Sequence, residues 1–244
     1  MSNLLDIVKD TDFYRTKGET VNIEDLFIEH PYMTKHDVQF HNESLIADKY
    51  RNMGRSQLKK VRTSGSTGKI VEVLWDKDDY LASNICLWRL RKKYYDIHSA
   101  DYQLTFHYSI YNGSQIINSD THCAITGRSF ISINKYGFSL EKFKSYIDVI
   151  RQLPITWIFT QPSMMMIILK YIQACNIKPS ELFPFLKYIE LNGEILFESE
   201  RKLITSFFNV PVANLYGAAE VNGIAYQCPN GHLHIINENV IVQL

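Results

Sequence analysis

From residue 70 onward, apolar residues recur at two different periods, and stretches with one period alternate with stretches with the other. A period of three to four residues is typical of amphipathic helices, and short apolar runs bounded by turn residues are typical of buried strands. The predicted helices are Asp78–Tyr95, Leu140–Leu153, Ser163–Cys175 and Glu198–Phe208. The predicted strands are Ile70–Trp75, Gln103–Tyr108, Ile155–Thr160, Leu186–Leu191 and Val210–Asn214. This order predicts an α/β fold with a layered, mostly parallel β-sheet that is packed by helices on both faces.

The two ends of the chain have a different pattern. Residues 1–60 are polar and rich in turn residues, with short predicted helices at Ile23–Glu29 and Thr34–Asn42, the second opened by Thr34 as N-cap with Asp37 three residues later. Beyond residue 220 the pattern predicts short strands joined by turns: Gly223–Gln227, His232–Ile236 and Asn239–Leu244. We therefore predict an N-terminal helical segment at 1–60, an α/β core at 61–220 and the start of a β-rich subdomain at 221–244. Because the last strand is strongly apolar up to the final residue, we expect the chain to be a fragment.

Composition and charge exclude several classes of partner. Lys plus Arg and Asp plus Glu both number 26, so the formal net charge is zero, which argues against a nucleic-acid or anionic-membrane surface. The longest apolar run, Met164–Leu169, is too short to span a bilayer. The four cysteines have no paired spacing, which is typical of reduced thiols. We expect a cytoplasmic protein that binds neither nucleic acid nor membranes.

The most informative stretch for chemistry is a small-residue loop that reads Thr63-Ser-Gly-Ser-Thr-Gly-Lys69. Its glycines let the backbone approach a ligand, while its hydroxyls, backbone N–H groups and lysine can bind phosphate oxygens. It is not a P-loop, because only two residues separate Gly65 from Gly68 and Ile70 stands where a magnesium-binding hydroxyl would follow the lysine. A flexible surface turn is the alternative interpretation of such a cluster.

Three motifs in the same order resemble those of the adenylate-forming superfamily of acyl-CoA synthetases, luciferases and peptide-synthetase adenylation domains. Thr63–Lys69 resembles its phosphate loop, Leu191–Leu196 its Gly-Gly-Glu-x-Leu segment, and Asn214–Glu220 its Asn-x-Tyr-Gly-x-Thr-Glu signature. Within the superfamily, the chain is most similar to the phenylacetate–coenzyme A ligase and CapK-like branch. The segments that carry this likeness are Asp12–Arg15, Pro31–Lys35 and Cys228–Glu238.

The resemblance implies a reaction in which a carboxylic acid attacks the α-phosphorus of ATP to give an acyl-AMP and pyrophosphate. It also assigns roles within a nucleotide-binding core at 61–220, with Lys69, His107 and Glu220 as candidate catalytic residues. The β- and γ-phosphates would be held by Thr63, Ser64, Gly65, Ser66, Thr67, Gly68 and Lys69. The adenine would lie against Tyr216 and Gly217, near Asn192, Gly193, Glu194 and Asn214. Glu220 would bind Mg²⁺, a cation that prefers oxygen ligands. An ordinary core aromatic at Tyr216 and a solvated carboxylate at Glu220 are the alternatives.

Two further features are open to more than one interpretation. The segment Phe106–Gly113 resembles the aromatic stretch that contacts the acyl substrate in this superfamily. The resemblance implies that His107 orients the carboxylate and that an aromatic acid would suit the site. A packed or exposed histidine at a strand end is the alternative. Cys228, His232 and His234 carry zinc-binding atoms, but their spacing matches no familiar zinc module. A turn before a strand with incidental histidines is the alternative. The run Met164–Met166 is expected to be core packing at the start of a buried helix.

The chain also departs from the family's pattern. Ile70 and Ala219 replace a usual proline and threonine, and the 244 residues contain no Tyr-x-x-x-Gly-Asp motif, hinge or small C-terminal domain. Three hypotheses follow: an incomplete acid–CoA ligase, a nucleotide-binding protein completed by a partner chain, or a catalytically inactive nucleotide-binding or protein-interaction module. The family adds coenzyme A or a carrier protein as acyl acceptor, and a homodimer as the assembly.

Overall fold

A computed structural model of the chain describes residues 10–15, 34–40, 43–51, 57–62, 71–107, 115–118 and 123–242. The predicted helix Ile23–Glu29 and the predicted phosphate loop Thr63–Lys69 lie outside these residues. The chain divides into two compact units, Met1–Leu81 and Ala82–Leu244, and the division falls within one helix. The sequence-based boundaries at residues 60 and 220 stay a prediction.

The first unit contains short helices and a hairpin. The helices are α1 (Asp12–Arg15), α2 (Lys35–Phe40) and α3 (Asp48–Arg51), and the antiparallel hairpin pairs β1 (Lys59–Arg62) with β2 (Glu72–Trp75). The predicted N-cap of α2 is confirmed: the Asp37 N–H donates to Thr34 Oγ1 over 3.2 Å, and the Thr34 N–H donates to Asp37 Oδ2 over 2.8 Å. This is a capping box with aspartate in the place of glutamate.

The second unit is built on one large sheet. Its helices are α4 (Lys77–Tyr95, which begins in the first unit), α5 (Leu140–Gln152), α6 (Pro162–Ala174), α7 (Pro179–Leu182) and α8 (Glu198–Phe208). Its strands are β3 (Gln103–His107), β4 (Gln115–Asn118), β5 (Cys123–Thr126), β6 (Phe130–Asn134), β7 (Trp157–Thr160), β8 (Tyr188–Asn192), β9 (Val212–Ala218), β10 (Asn222–Gln227) and β11 (Leu233–Ile235). Among the described residues these nine strands lie in the order β11-β10-β9-β8-β7-β3-β6-β5-β4.

The centre of the sheet is parallel, as predicted, and both edges are antiparallel. Strands β9, β8, β7, β3 and β6 run in one direction, whereas β10 and β11 at one edge, and β5 and β4 at the other, pair antiparallel with their neighbours. The β-rich C-terminal end is also confirmed, since β10 and β11 continue the sheet beyond β9. The strands β4, β5 and β6 were not foreseen from the sequence.

Helices cover both faces of the central strands. Successive strand residues alternate between the two faces: in β7, Ile158 packs with α5 and α6, while its neighbour Trp157 packs on the side of α4. The run Met164–Met166 lies in the first turns of α6. Met164 and Met165 are buried in the same hydrophobic cluster as Ile158, as expected for core packing. No helix in the described part of the chain is long and apolar enough to cross a bilayer.

One sequence-based prediction is wrong in this unit. The strand expected at Asn239–Leu244 is not formed over its described residues, and residues 237–239 form a turn instead. The backbone N–H groups of Asn239 and Val240 both donate to the carbonyl oxygen of Ile236, over 2.8 and 3.0 Å. Because these donors are used within the turn, they are not available for a strand ladder.

Candidate functional site

Polar side chains collect at the edge of the sheet where the parallel strands end. His107 closes β3, Lys135 follows β6, Gln161 follows β7 and Glu194 lies two residues beyond β8. In open α/β sheets this carboxyl edge is where ligands bind, because loops diverge there and leave a crevice. The fold therefore places residues from distant parts of the sequence in one row.

A cavity of about 380 Å³ opens at the β8–β9 end of this row. Its lining includes five residues that the sequence assigned to the adenine pocket: Gly193, Glu194, Asn214, Tyr216 and Gly217. The remaining lining residues are Ile195, Leu196 and Leu215, which belong to the same two motifs but were given no role of their own from the sequence. Asn192, also assigned to that pocket, ends β8 and pairs with Leu215 in the ladder beside the cavity.

Two glycines of the cavity wall have conformational reasons to be glycine. Gly193 has a φ of 79°, a left-handed conformation that turns the chain sharply after β8. At Gly217 a Cβ atom would lie 2.1 Å from the carbonyl oxygen of Asn222, because the β9–β10 hairpin brings the two backbones together. A side chain at Gly217 would therefore collide with backbone rather than with a movable group.

Apolar surface and one amide face the cavity. Tyr216 is 58% exposed and Ile195 is 77% exposed, so two large apolar side chains lie open to solvent at its rim. The backbone N–H of Asn214 donates to Gln227 Oε1 of β10 over 3.0 Å, which fixes the strand. Within the described part of the chain, the side-chain amide of Asn214 has no hydrogen-bond partner. The wall thus combines apolar surface with one amide able to donate and accept.

Glu194 has a structural role that the sequence did not reveal. Its two carboxylate oxygens accept hydrogen bonds from the Ser163 N–H, over 3.0 Å, and from Ser163 Oγ, over 2.9 Å. These contacts lie in the first turn of α6, whose N-cap residue Gln161 makes no capping hydrogen bond with its side chain. A carboxylate there satisfies an orphan N–H and complements the positive end of the helix dipole.

His107 and Lys135 lie side by side at the β3–β6 end of the row. The Lys135 N–H donates to the carbonyl oxygen of His107 over 2.8 Å, and His107 Nε2 lies 3.2 Å from Thr105 Oγ1. Burial, and then the positive charge of Lys135, lower the pKa of His107, which favours the neutral form of its imidazole. Lys135 Nζ donates to Gln161 Oε1 over 3.2 Å. Neither Lys135 nor Gln161 was singled out from the sequence, although each directly follows a strand.

The predicted metal ligands lie along the segment that forms β10 and β11 and the turns before these strands. Glu220 is exposed in the turn between β9 and β10, where the Val221 N–H donates to the Ala218 carbonyl oxygen over 3.2 Å. Cys228 is buried, whereas His232 and His234 are exposed, and a tight turn joins Cys228 to His232. No group of three or more His, Cys, Asp or Glu that could hold a metal ion occurs in the described ranges. The phosphate loop, with Lys69, lies outside them and stays a prediction.

No family model matches the chain, and no curated protein sequence matches it. Solved structures do. The chain is similar to 2-hydroxyisobutyryl-CoA ligase in the postadenylation state in complex with 2-HIB-AMP, with a TM-score of 0.70, 14% identity and 96% of this chain covering 51% of that one. It is also similar to that ligase's open conformation in complex with 2-HIB-AMP and CoA, with a TM-score of 0.67, 13% identity and coverage of 97% and 57%.

This chain therefore spans about half the length of the ligase to which it is similar. At this level of identity, the likeness concerns the fold. The expectation of an α/β fold with a mostly parallel central sheet is confirmed: over the matched residues, the chain has the fold of about half of that acid–CoA ligase.

Proposed function

We propose that this chain is the ATP-binding core of an adenylate-forming protein, which activates a carboxylic acid as an acyl-AMP. The observation that carries the proposal is the cavity at the ends of β8 and β9. Residues from two separate sequence motifs, Gly193 and Glu194 from one and Asn214, Tyr216 and Gly217 from the other, line that one cavity. The similar ligase is known in complex with 2-HIB-AMP, which supports a nucleotide as the ligand.

The cavity suits an adenine ring in size and chemistry. Its volume of about 380 Å³ lies within the range of small-molecule sites, which is about 300–1,000 Å³. The exposed ring of Tyr216 offers a flat apolar face for stacking, and the Asn214 amide offers both a donor and an acceptor to the edge of the base. Because Gly217 has no side chain, it leaves room for the base at this part of the cavity wall.

The phosphates would lie along the predicted loop Thr63–Lys69, and Glu220 would contribute to a Mg²⁺ site. A single exposed carboxylate fits this ion, since Mg²⁺ is usually held by one or two carboxylates together with substrate phosphates and waters. When bound, the ion would neutralise phosphate charge. Zinc is not proposed, because Cys228, His232 and His234 do not form a set of ligands.

In the proposed reaction, a carboxylate oxygen of the acid attacks the α-phosphorus, and pyrophosphate leaves. The protein's contribution is to position the two reactants. Neutral His107 can donate a hydrogen bond to the incoming carboxylate and so orient it. We propose coenzyme A as the acyl acceptor, because the similar ligase is known with CoA, and a carrier protein as the alternative. We also propose that the protein belongs to the phenylacetate–coenzyme A ligase and CapK-like branch. The same proposal includes a cytoplasmic location and a homodimer.

The experiment that tests the proposal is equilibrium dialysis of the purified chain with labelled ATP and Mg²⁺. Tyr216→Ala and Asn214→Ala should each weaken binding about tenfold or more, the effect of losing one stacking or hydrogen-bond contact. Phe185→Ala is the matched control, because Phe185 is also an exposed aromatic but lies at the opposite end of β8. Absence of ATP binding by the folded wild-type chain would refute the proposal.

A second measurement separates an enzyme from a binding module. Acid-dependent exchange between ATP and pyrophosphate, assayed with aromatic and aliphatic acids, reports formation of the acyl-AMP. Exchange would establish turnover by this chain. ATP binding without exchange by any acid would instead favour the inactive nucleotide-binding module.

A further inference from the structure

A lysine side chain crosses the end of one strand at the carboxyl edge. Lys135 follows β6 and Gln161 follows β7, and β3 lies between these two strands in the sheet. Neighbouring strands are about 4.8 Å apart, so the 3.2 Å hydrogen bond from Lys135 Nζ to Gln161 Oε1 passes over the end of β3. The residue at that end is His107.

The two ends of this lysine are both fixed. Its backbone N–H extends the β3–β6 ladder by donating to the His107 carbonyl oxygen, and its amine donates to Gln161. The backbone of Gln161 is fixed as the N-cap of α6, where its carbonyl oxygen accepts from the Met165 N–H over 3.0 Å. A lysine loses much side-chain freedom in such a geometry, so its amine is pre-organised at one position of the edge.

The amine is also a partly desolvated cation. Lys135, His107 and Gln161 are each half-buried. Burial lowers the pKa of Lys135, and the charge of Glu194 opposes that effect. Glu194 directs both carboxylate oxygens to Ser163, at the start of α6. Electrostatic attraction of an anion to a partly buried cation is stronger than to one in bulk water.

We propose that Lys135 recognises a second oxygen acceptor on the substrate acid, so that the substrate is a hydroxy- or dicarboxylic acid rather than a purely hydrocarbon one. The inference rests on the proposed function, since it assigns the acid to the β3–β6 end of the row whose other end holds the nucleotide. His107 orients the reacting carboxylate. Lys135 beside it then binds the distal carboxylate or hydroxyl. A carboxylate is the stronger ligand because its charge complements the ammonium group.

The test measures binding, so it does not depend on turnover. Three stable acyl-AMP mimics are compared by titration calorimetry: 5′-O-(N-acyl)sulfamoyladenosines that carry a butanoyl, a 3-hydroxybutanoyl or a 3-carboxypropanoyl group. The wild-type chain should bind the carboxypropanoyl compound about 10- to 100-fold more tightly than the butanoyl one, with the hydroxy compound between them. Lys135→Met should reduce that preference to about twofold or less while butanoyl binding is retained.

Two variants control for effects on folding and charge. Lys144→Met removes an exposed lysine of α5 and should leave the preference unchanged, and Lys135→Arg should keep it, because the cation is retained. Equal affinity of the wild-type chain for the three compounds would overturn the inference. So would an equal loss for all three in Lys135→Met, since Lys135 would then bind a part that they share. If AMP and all three mimics fail to bind, the nucleotide site itself is refuted, and the inference falls with it.

Discussion

Arg91 of α4 and Glu190 of β8 form a bidentate ion pair that is buried on the α4 side of the sheet. Nε donates to Oε2 over 2.8 Å and Nη2 donates to Oε1 over 2.6 Å, and the side chains are 7% and 0% exposed. Tyr226 Oη also donates to Glu190 Oε2, over 2.8 Å, and lies 2.7 Å from Tyr188 Oη. Burial by itself would lower the pKa of Arg91, but the charge of Glu190 and the hydrogen bonds to it raise that pKa above its ordinary value. The pair joins the helix to the strand that leads into the cavity.

Removal of either partner should destabilise the protein strongly. Arg91→Met leaves a buried carboxylate without its cation, and Glu190→Gln leaves a buried guanidinium without its anion. Loss of one member of a buried pair costs about 3–5 kcal/mol. We expect a loss of this size in the free energy of unfolding, measured by urea titration followed by far-ultraviolet circular dichroism.

The control for this prediction lies on the same helix. Arg89 pairs with Glu238 over 2.8 Å, but the two side chains are 67% and 63% exposed. Exposed pairs contribute about 0–1 kcal/mol, so Arg89→Met should change the free energy of unfolding by less than about 1 kcal/mol. If Arg91→Met proves no more damaging than Arg89→Met, the buried pair is not the stabilising contact that its geometry indicates.

The tyrosines around Glu190 should make the protein sensitive to alkaline pH. Burial and the charge of Glu190 raise the pKa of Tyr226 above the value of about 10 in the unfolded chain. Above pH 10 the unfolded state therefore loses this proton while the folded state keeps it, and stability falls as pH rises. One such group contributes a slope of about 1.4 kcal/mol per pH unit.

The variant Tyr226→Phe removes this group together with its hydroxyl bonds. The free energy of unfolding, measured between pH 9 and pH 11, should be lower in the variant at pH 9 and should then decline less steeply by about that slope. Tyr136→Phe is the control, because Tyr136 is 74% exposed. The free energy of unfolding of this variant should depend on pH as it does in the wild-type chain. An unchanged slope in Tyr226→Phe would show that this tyrosine does not titrate differently in the two states.

Elements with strong local patterns could be predicted from the sequence. The helix Glu198–Phe208 was predicted with its observed ends, because apolar residues such as Ile204 and Phe208 recur at helical spacing and are buried. The residues that line the cavity at β8 and β9 could be singled out from the sequence because they belong to short, contiguous motifs. The strand Phe130–Asn134 was missed, although Ile131 and Ile133 alternate with Ser132, because the preceding antiparallel partner was not recognised.

Contacts between distant residues could not be predicted in this way. Arg91 and Glu190 are 99 residues apart, and each interrupts an apolar pattern without any local sign of its partner. The hydrogen bond between Lys135 and Gln161 likewise depends on the sheet order, in which β3 lies between β6 and β7. The failure of the strand at Asn239–Leu244 has the same origin, since the Asn239 side chain donates to the Gly223 carbonyl oxygen of a different segment over 2.7 Å.

The proximity of Lys135 to His107 should be measurable in solution. The charge of Lys135 is the second cause, after burial, of the lowered pKa of His107. Lys135→Met should therefore raise the pKa of His107, because protonation no longer places a second positive charge beside the first. The histidine Cε1 resonances, titrated by nuclear magnetic resonance and assigned with a His107→Gln variant, report this pKa. Lys144→Met should leave it unchanged, and an equal shift in both lysine variants would mean that Lys135 has no special position.

Glu194 and Glu220 were both assigned to the site from the sequence, and they have different surroundings in the structure, so one pair of variants can separate their effects. Glu194→Ala removes the group that accepts from the Ser163 N–H and Oγ at the start of α6, so the free energy of unfolding should fall by about 1–2 kcal/mol. Glu220→Ala removes an exposed carboxylate in a turn and should change stability by less than about 0.5 kcal/mol.

For the magnesium dependence of ATP binding, we expect the reverse: Glu220→Ala should change it and Glu194→Ala should not. The dependence of ATP binding on Mg²⁺ concentration should become weaker in Glu220→Ala, because the carboxylate proposed to contact the ion is absent, whereas Glu194→Ala should keep the wild-type dependence. Urea titration and equilibrium dialysis with labelled ATP at two Mg²⁺ concentrations provide the four values needed. If Glu220→Ala keeps the full dependence on Mg²⁺, another residue holds the ion. If Glu194→Ala is as stable as the wild-type chain, the carboxylate does not cap α6 in solution.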